Sequence, residues 1–262
     1  MVYLLKRLHH IYLAVFLILL IPLNAHARVI RVGIGFALPP YVIREADSGL
    51  EVDLIRRVFE QFGYETKFVY LPNLRLPLAF AQEQVDCIVA NATYDVSHES
   101  GRKAYHSDVT IFYQNYAITL PSYGRSLNSF EDIAQEQVLG FNNATKYLGD
   151  EFASMAASNP HYSELADQSL QVRMLYSGRV RVVISDKRIF LWWRRKMLES
   201  GGDQTVSLAP TPVFHSLFPP APRHLHFAEK GLCELFNKGL KRFRKSGELH
   251  ALITRYLGNE IQ

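Results

Sequence analysis

Leu78-Ala-Phe-Ala-Gln-Glu-Gln84, Val85-Asp-Cys-Ile-Val-Ala90 and Asn91-Ala-Thr93 follow one another in this chain, and the same phrase returns about ninety residues on. The second copy reads Val172-Arg-Met-Leu-Tyr-Ser-Gly178, Arg179-Val-Arg-Val-Val-Ile184 and Ser185-Asp186. Each copy is a helix end, a tight turn, a short apolar strand and a polar tip. In open α/β sheets, ligands sit beyond the carboxyl ends of strands. Two such tips predict two α/β lobes that face one small molecule.

Outward from the first copy, Ile30, Val32, Ile34 and Phe36 alternate and predict a strand over 28–36. Leu38-Pro-Pro-Tyr41 ends it in a rigid turn. Leu54, Ile55, Val58, Phe59 and Phe62 share one helical face between Gly49 and Gly63. A second strand is predicted over 66–71, and a helix capped by Asn73 runs into Gln84. This alternation is the pattern of βαβ units.

A long β-prone stretch covers 111–120. A fresh series follows: a strand over 137–141, a helix opened by Asn142-Asn-Ala-Thr145, the second copy of the phrase, and a helix over 187–199 with Trp192 and Trp193. Pro210, Pro212, Pro219, Pro220 and Pro222 mark an irregular connector. A strand over 224–228 and two helices, over 232–244 and 249–256, close the chain. The expected division is residues 28–116 with 214–262 in lobe one, and 117–213 inserted as lobe two. Two crossing segments between lobes behave as a hinge.

Residues 1–27 are expected to be a signal peptide. Lys6 and Arg7 precede an apolar run over 11–23, and Ala25-His-Ala27 is a small-x-small cleavage site. The run is short for a bilayer span. Of 262 residues, 235 remain after that leader, enough for one large or two small domains. With 29 Lys and Arg against 25 Asp and Glu, and two of the cations in the leader, the remainder carries a formal +2. That small excess, without a basic stripe interleaved with aromatics, argues against a nucleic-acid partner. An oxidising compartment permits a disulfide between Cys87 and Cys233, and two buried thiols are the alternative. His224 and His226 share one strand face, but no Asp, Glu or Cys accompanies them at ligand spacing, so neither a metal nor another cofactor is expected.

The full remaining length resembles the bacterial extracellular solute-binding proteins of the amino-acid-binding type. The resemblance rests on Pro39-Pro-Tyr41, Gly49-Leu-Glu-Val-Asp53-Leu, Gln84-Val-Asp86 and Arg102 ahead of His106-Ser-Asp108. It continues in Gly178-Arg-Val, Ser185-Asp186, Phe236-Asn, Gly247 and Ile253-Thr-Arg-Tyr256. It implies a two-lobed, periplasmic binding protein-like (type II) α/β fold with lobe two inserted into lobe one. It also implies closure around a small solute, an amino acid or a related compound. The protein would act as a periplasmic monomer and deliver its solute to an ABC transporter permease or to a membrane receptor.

A zwitterion calls for a guanidinium or backbone N–H groups at one end and a carboxylate at the other. The resemblance puts the solute carboxylate on Arg102, although nine positions separate it from Thr93, longer than the family spacing. Arg75, in a helix first turn where the dipole disfavours a cation, is the other candidate. Asp186 matches the residue that takes the ammonium, and it also stands where it would cap the helix over 187–199. Asn91-Ala-Thr93 and Asn143-Ala-Thr145 put an amide and a hydroxyl at strand-to-helix edges, and the second opens a helix whose free N–H groups suit an anion. Tyr41 is either an apolar wall or core.

These residues fit three functions: a binding protein that feeds a transporter, a sensory module for a receptor, and a dehydratase-like enzyme on the same fold. The enzyme needs an acid–base pair in the cleft, and the sequence concentrates no such pair. No catalytic residue is therefore expected.

Overall fold

The computed structural model describes residues 28–257 apart from 37, 92–93 and 202–205. The expected leader and Thr93 lie outside the described residues. The first sheet takes β1 (Val29–Ile34), β2 (Glu65–Tyr70), β3 (Cys87–Asn91), β4 (Tyr105–His106) and β5 (Phe112–Tyr113). The second takes β6 (Asn115–Thr119), β7 (Val138–Phe141), β8 (Tyr162–Leu165), β9 (Val182–Asp186) and β10 (Val213–His215). The chain then returns to the first sheet as β11 (Ala221–Phe227). The sheet orders are β2-β1-β3-β11-β4, with β5 also on β11, and β10-β6-β9-β7-β8.

β1, β2 and β3 run parallel, as do β7, β8 and β9. Each set therefore aims its carboxyl ends at one edge. The doubled phrase supplies one central strand to each sheet, β3 and β9. The stretch over 111–120 does not form one strand: it breaks at Gln114 and passes from the first sheet to the second. The return passes between His215 and Ala221, where the prolines deny backbone donors to either sheet.

Helices α1 (Leu50–Glu60), α2 (Leu76–Ala81) and α3 (Val96–Ser100) belong to the first lobe. Those of the second are α4 (Ala144–Tyr147), α5 (Asp150–Ser158), α6 (Ser169–Tyr176) and α7 (Lys187–Glu199). Helices α8 (Lys230–Lys245) and α9 (Glu248–Leu257) end the described chain on lobe one. Helix α1 starts at Gly49, whose φ of 133° is open to glycine alone; a Cβ there would meet the Tyr41 carbonyl oxygen at 2.3 Å. That close approach sets Tyr41 beside the helix. Asn73 does not cap α2; it begins a 3-10 turn, Asn73–Arg75, and Pro77 occupies the first turn of the helix, where a missing N–H does no harm.

Ile30, Val32 and Ile34 of β1, Phe59 of α1, Leu225 and Phe227 of β11, and Phe236 of α8 form the main core of lobe one. Each such side chain contributes roughly 1.5–3 kcal/mol by burial. Phe80, Ile88 and Val96 fill the other sheet face. Lobe two has two clusters, one around Phe152 and Phe218 and one around Val183 and Phe190. Helix α7 touches both lobes: Ile189 joins the lobe-one core, and Phe190, next in sequence, joins a lobe-two cluster.

Candidate functional site

The two polar tips are joined by an unbroken chain of contacts at the crossing between lobes. Asn91, the tip of β3, accepts a hydrogen bond from Arg223 Nη1 at 2.9 Å. Arg223 Nε lies 3.4 Å from Glu51 Oε1, and Glu51 Oε2 accepts from the Tyr113 hydroxyl at 2.9 Å. The Arg223 guanidinium sits over the Tyr113 ring, 4.8 Å from its centroid. The Tyr113 ring in turn stacks on Tyr41 with centroids 4.1 Å apart. The Tyr41 hydroxyl donates to Asp186, the tip of β9, at 3.1 Å from each carboxylate oxygen.

Asp186 is the node of this chain. Besides Tyr41 it accepts from the backbone N–H of Gln114 at 2.7 Å, of Arg188 at 2.8 Å and of Ile189 at 3.1 Å. The last two make it the cap of α7. Burial raises its pKa, and these hydrogen bonds and the Arg188 charge work against that rise. Tyr41 is fully buried, and its hydroxyl is pushed well up, by burial first and then by the Asp186 charge. Gln114 also gives its side-chain Nε2–H to the Phe218 carbonyl at 2.7 Å, which ties one crossing segment to the other. Arg188 reaches back from α7 to the Phe112 carbonyl of lobe one at 3.1 Å.

The remaining lobe-two candidates surround a carboxylate of the chain itself. Asn143 N–H donates to Glu164 Oε2 at 2.6 Å, and Thr145 gives both its N–H and its hydroxyl to Glu164 Oε1 at 3.1 Å. Tyr162 adds its hydroxyl at 2.9 Å. Burial raises the Glu164 pKa, but the donors outweigh it and the net shift is downward. The carboxylate is therefore charged at neutral pH. Tyr147 of α4, beside this loop, contributes with burial and Glu99 to raising the pKa of Tyr94, which follows the β3 tip in lobe one.

Arg102 and Arg75, the two arginines expected to meet the solute carboxylate, belong to neither cluster. Arg102 gives Nη1–H to the Phe80 carbonyl at 2.9 Å, pairs with Glu83 at 3.3 Å and covers the Phe80 ring. Arg75 is exposed in the turn before α2. Cys87 and Cys233 are buried free thiols, and burial raises the pKa of both. Among the described residues no group of three His, Cys, Asp or Glu is arranged to hold a metal, and no helix is long and apolar enough to cross a membrane.

A model of the bacterial extracellular solute-binding proteins, family 3, matches residues 30–259. The chain belongs to that family. No curated protein sequence matches it. Among solved structures it is similar to an ancestral arginine-binding protein bound to arginine, with a TM-score of 0.62, 19% identity and coverage of 88% of this chain and 98% of that one. It is also similar to a histidine kinase sensor domain with similarity to periplasmic binding proteins, at a TM-score of 0.63, 15% identity and coverage of 88% and 97%. A third is an ancestral amino acid-binding protein that is a precursor of cyclohexadienyl dehydratase, at 0.62, 16%, and 87% and 95%. At these identities the likeness establishes the two-lobed fold.

For this family 3 protein, the tips Asn91 and Asp186 and the loop residue Tyr41 meet in one network, and Asn143 and Thr145 meet in another. Sequence reading missed Glu51, Tyr113, Gln114, Arg223 and Glu164. A signal existed for two of them. Glu51 is a charged residue on the apolar side of α1, and Gln114-Asn115 is a polar break in the ten-residue β-prone stretch over 111–120. Arg223, between prolines and a strand, gives no such sign.

Proposed function

We propose that the protein is a periplasmic solute-binding protein, exported by its leader, which closes its lobes as a monomer around a small polar solute and delivers it to an ABC transporter. The observation that carries this reading is the Asn91–Arg223–Glu51–Tyr113–Tyr41–Asp186 network. It spans the joint between two sheets and links the tip of β3 to the tip of β9. Two crossing segments with strand tips on either side behave as a hinge around a cleft. The solute class this reading takes is an amino acid or a related compound.

The site favours binding over turnover. Asp186, the carboxylate at the joint, already accepts from four donors. A general acid or base needs a proton position free for the substrate. A sensory role would use the same closure with a receptor in place of the permease.

Thermal melts and calorimetry with amino acids, amines, oligopeptides, sugars and organic acids test the reading. A true ligand at a hundred times its Kd stabilises by about 2.7 kcal/mol and should reduce the radius of gyration in small-angle scattering. No shift and no heat with any of them would overturn it, and loss of the added solute with a new product in mass spectrometry would move the protein to the enzymes.

A further inference from the structure

The loop after β7 was expected to offer its N–H groups to an anion. It does so, but the anion is the protein's own. Glu164 stands one residue from the end of β8, in register with Gly140 of β7, at the edge where the parallel strands of lobe two finish. Its Oε1 accepts from Thr145 N–H, Thr145 hydroxyl and Tyr162 hydroxyl; among the described residues its Oε2 accepts from Asn143 N–H alone. A carboxylate oxygen has two lone-pair positions, so Oε2 keeps one for a further donor. The side chain is partly exposed. The position thus carries a negative charge with one open acceptor, not an open set of donors.

Among the described residues, Asp186, Arg223 and Arg102 are each held by partners within the chain itself. Asp186 already accepts from four donors, Tyr41 and three backbone N–H groups. Arg223 is committed to Glu51 and Asn91, and Arg102 to Phe80 and Glu83.

We infer that Glu164 fills the place where a solute's carboxylate would dock, so that lobe two selects an amine without a carboxylate at that end. This rests on the binding reading above and names its solute class. A free α-amino acid would set its carboxylate against Glu164, where like charges disfavour each other.

The test uses matched pairs in calorimetry: agmatine with L-arginine, cadaverine with L-lysine and putrescine with L-ornithine, with sucrose and succinate as neutral and anionic controls. The wild type is expected to bind at least one amine tenfold or more tighter than its amino acid, and Glu164→Ala should cut that ratio at least tenfold. Glu164→Gln, which keeps most of the volume, replaces Glu164→Ala if the melting curve shows that variant unfolded. An amino acid bound as tightly as its amine, or an unchanged ratio in the variants, overturns the inference while the binding reading stands. Binding of sucrose or succinate alone does the same. Silence from every solute overturns the binding reading, and the inference falls with it.

Discussion

Asp186 is the residue on which the joint turns, and its surroundings set what its loss would do. Replacing it with alanine removes the cap of α7 and leaves the Tyr41 hydroxyl and three backbone N–H groups without an acceptor. A lost cap costs about 1 kcal/mol and each buried orphan about 1–3 kcal/mol where water cannot reach it. With partial relaxation, a loss of ~4 kcal/mol is expected for Asp186→Ala. At roughly 2–4 °C per kcal/mol in a chain of this size, that lowers Tm by about 12 °C. Tyr41→Phe removes one donor and leaves three, so it should lower Tm by only ~3 °C. Circular dichroism melts of both variants read the difference. Equal Tm values for Asp186→Ala and the wild type would mean that these contacts hold nothing.

At the scale of elements, β1 and α8 are legible from period, whereas the strand expected over 111–120 is two and β8 was not anticipated. Ile30, Val32 and Ile34 alternate because β1 buries one face against α1. Leu232, Phe236, Leu240 and Phe243 recur at helical spacing because α8 lies on the same core. What was not legible is what distant elements bring together: Glu164 beneath Asn143 and Thr145, Arg223 against Glu51, and a third histidine. His224 and His226 on β11 are joined by His106 on β4, with ring centroids 5.6 and 6.5 Å from it, because β4 pairs with β11 in antiparallel register. Periodicity reports which way a side chain faces and is silent on which strand lies alongside. His226 Nε2 is buried without a hydrogen-bond partner. Burial first, then the charges of His224, His106 and Arg223, lowers its pKa to about 4, with Asp95 acting the other way. The folded state thus holds His226 neutral while the unfolded chain protonates it near 6.5. Its contribution is complete above pH 6.5 and is lost as pH falls from 6.5 to about 4. Urea unfolding at pH 7 and pH 4.5 should show the wild type losing ~2 kcal/mol more than His226→Leu. Asp186, with its pKa shifted upward, works in the opposite sense, but it is present in both proteins and cancels. An equal pH loss in the two proteins would remove His226 as the cause.

For the whole molecule, the question is whether two lobes with separate cores unfold as one body. Two thin crossing segments would couple them weakly, since loop closure alone adds little free energy. Helix α7 changes that. It begins at the Asp186 cap in lobe two, sends Ile189 into the lobe-one core and Phe190 into a lobe-two cluster, and lays Trp193 against both. Helix α9 of lobe one also touches it. One rigid element with side chains in two cores transmits the melting of either lobe to the other. The wild type is therefore expected to unfold in a single calorimetric transition with equal calorimetric and van't Hoff enthalpies. Trp193→Ala removes the side chain shared between the cores at a cost of about 2–3 kcal/mol, less than a fully buried tryptophan because Trp193 is partly exposed. It should split the transition into two, or raise the ratio of the enthalpies above one, with the lobes melting separately. Leu198→Ala, on the same helix and half exposed, should leave the single transition in place. If Trp193→Ala merely shifts one intact transition downward, the coupling runs through Gln114 and the Tyr41–Asp186 contact instead. The joint itself, not α7, would then make the two lobes one molecule.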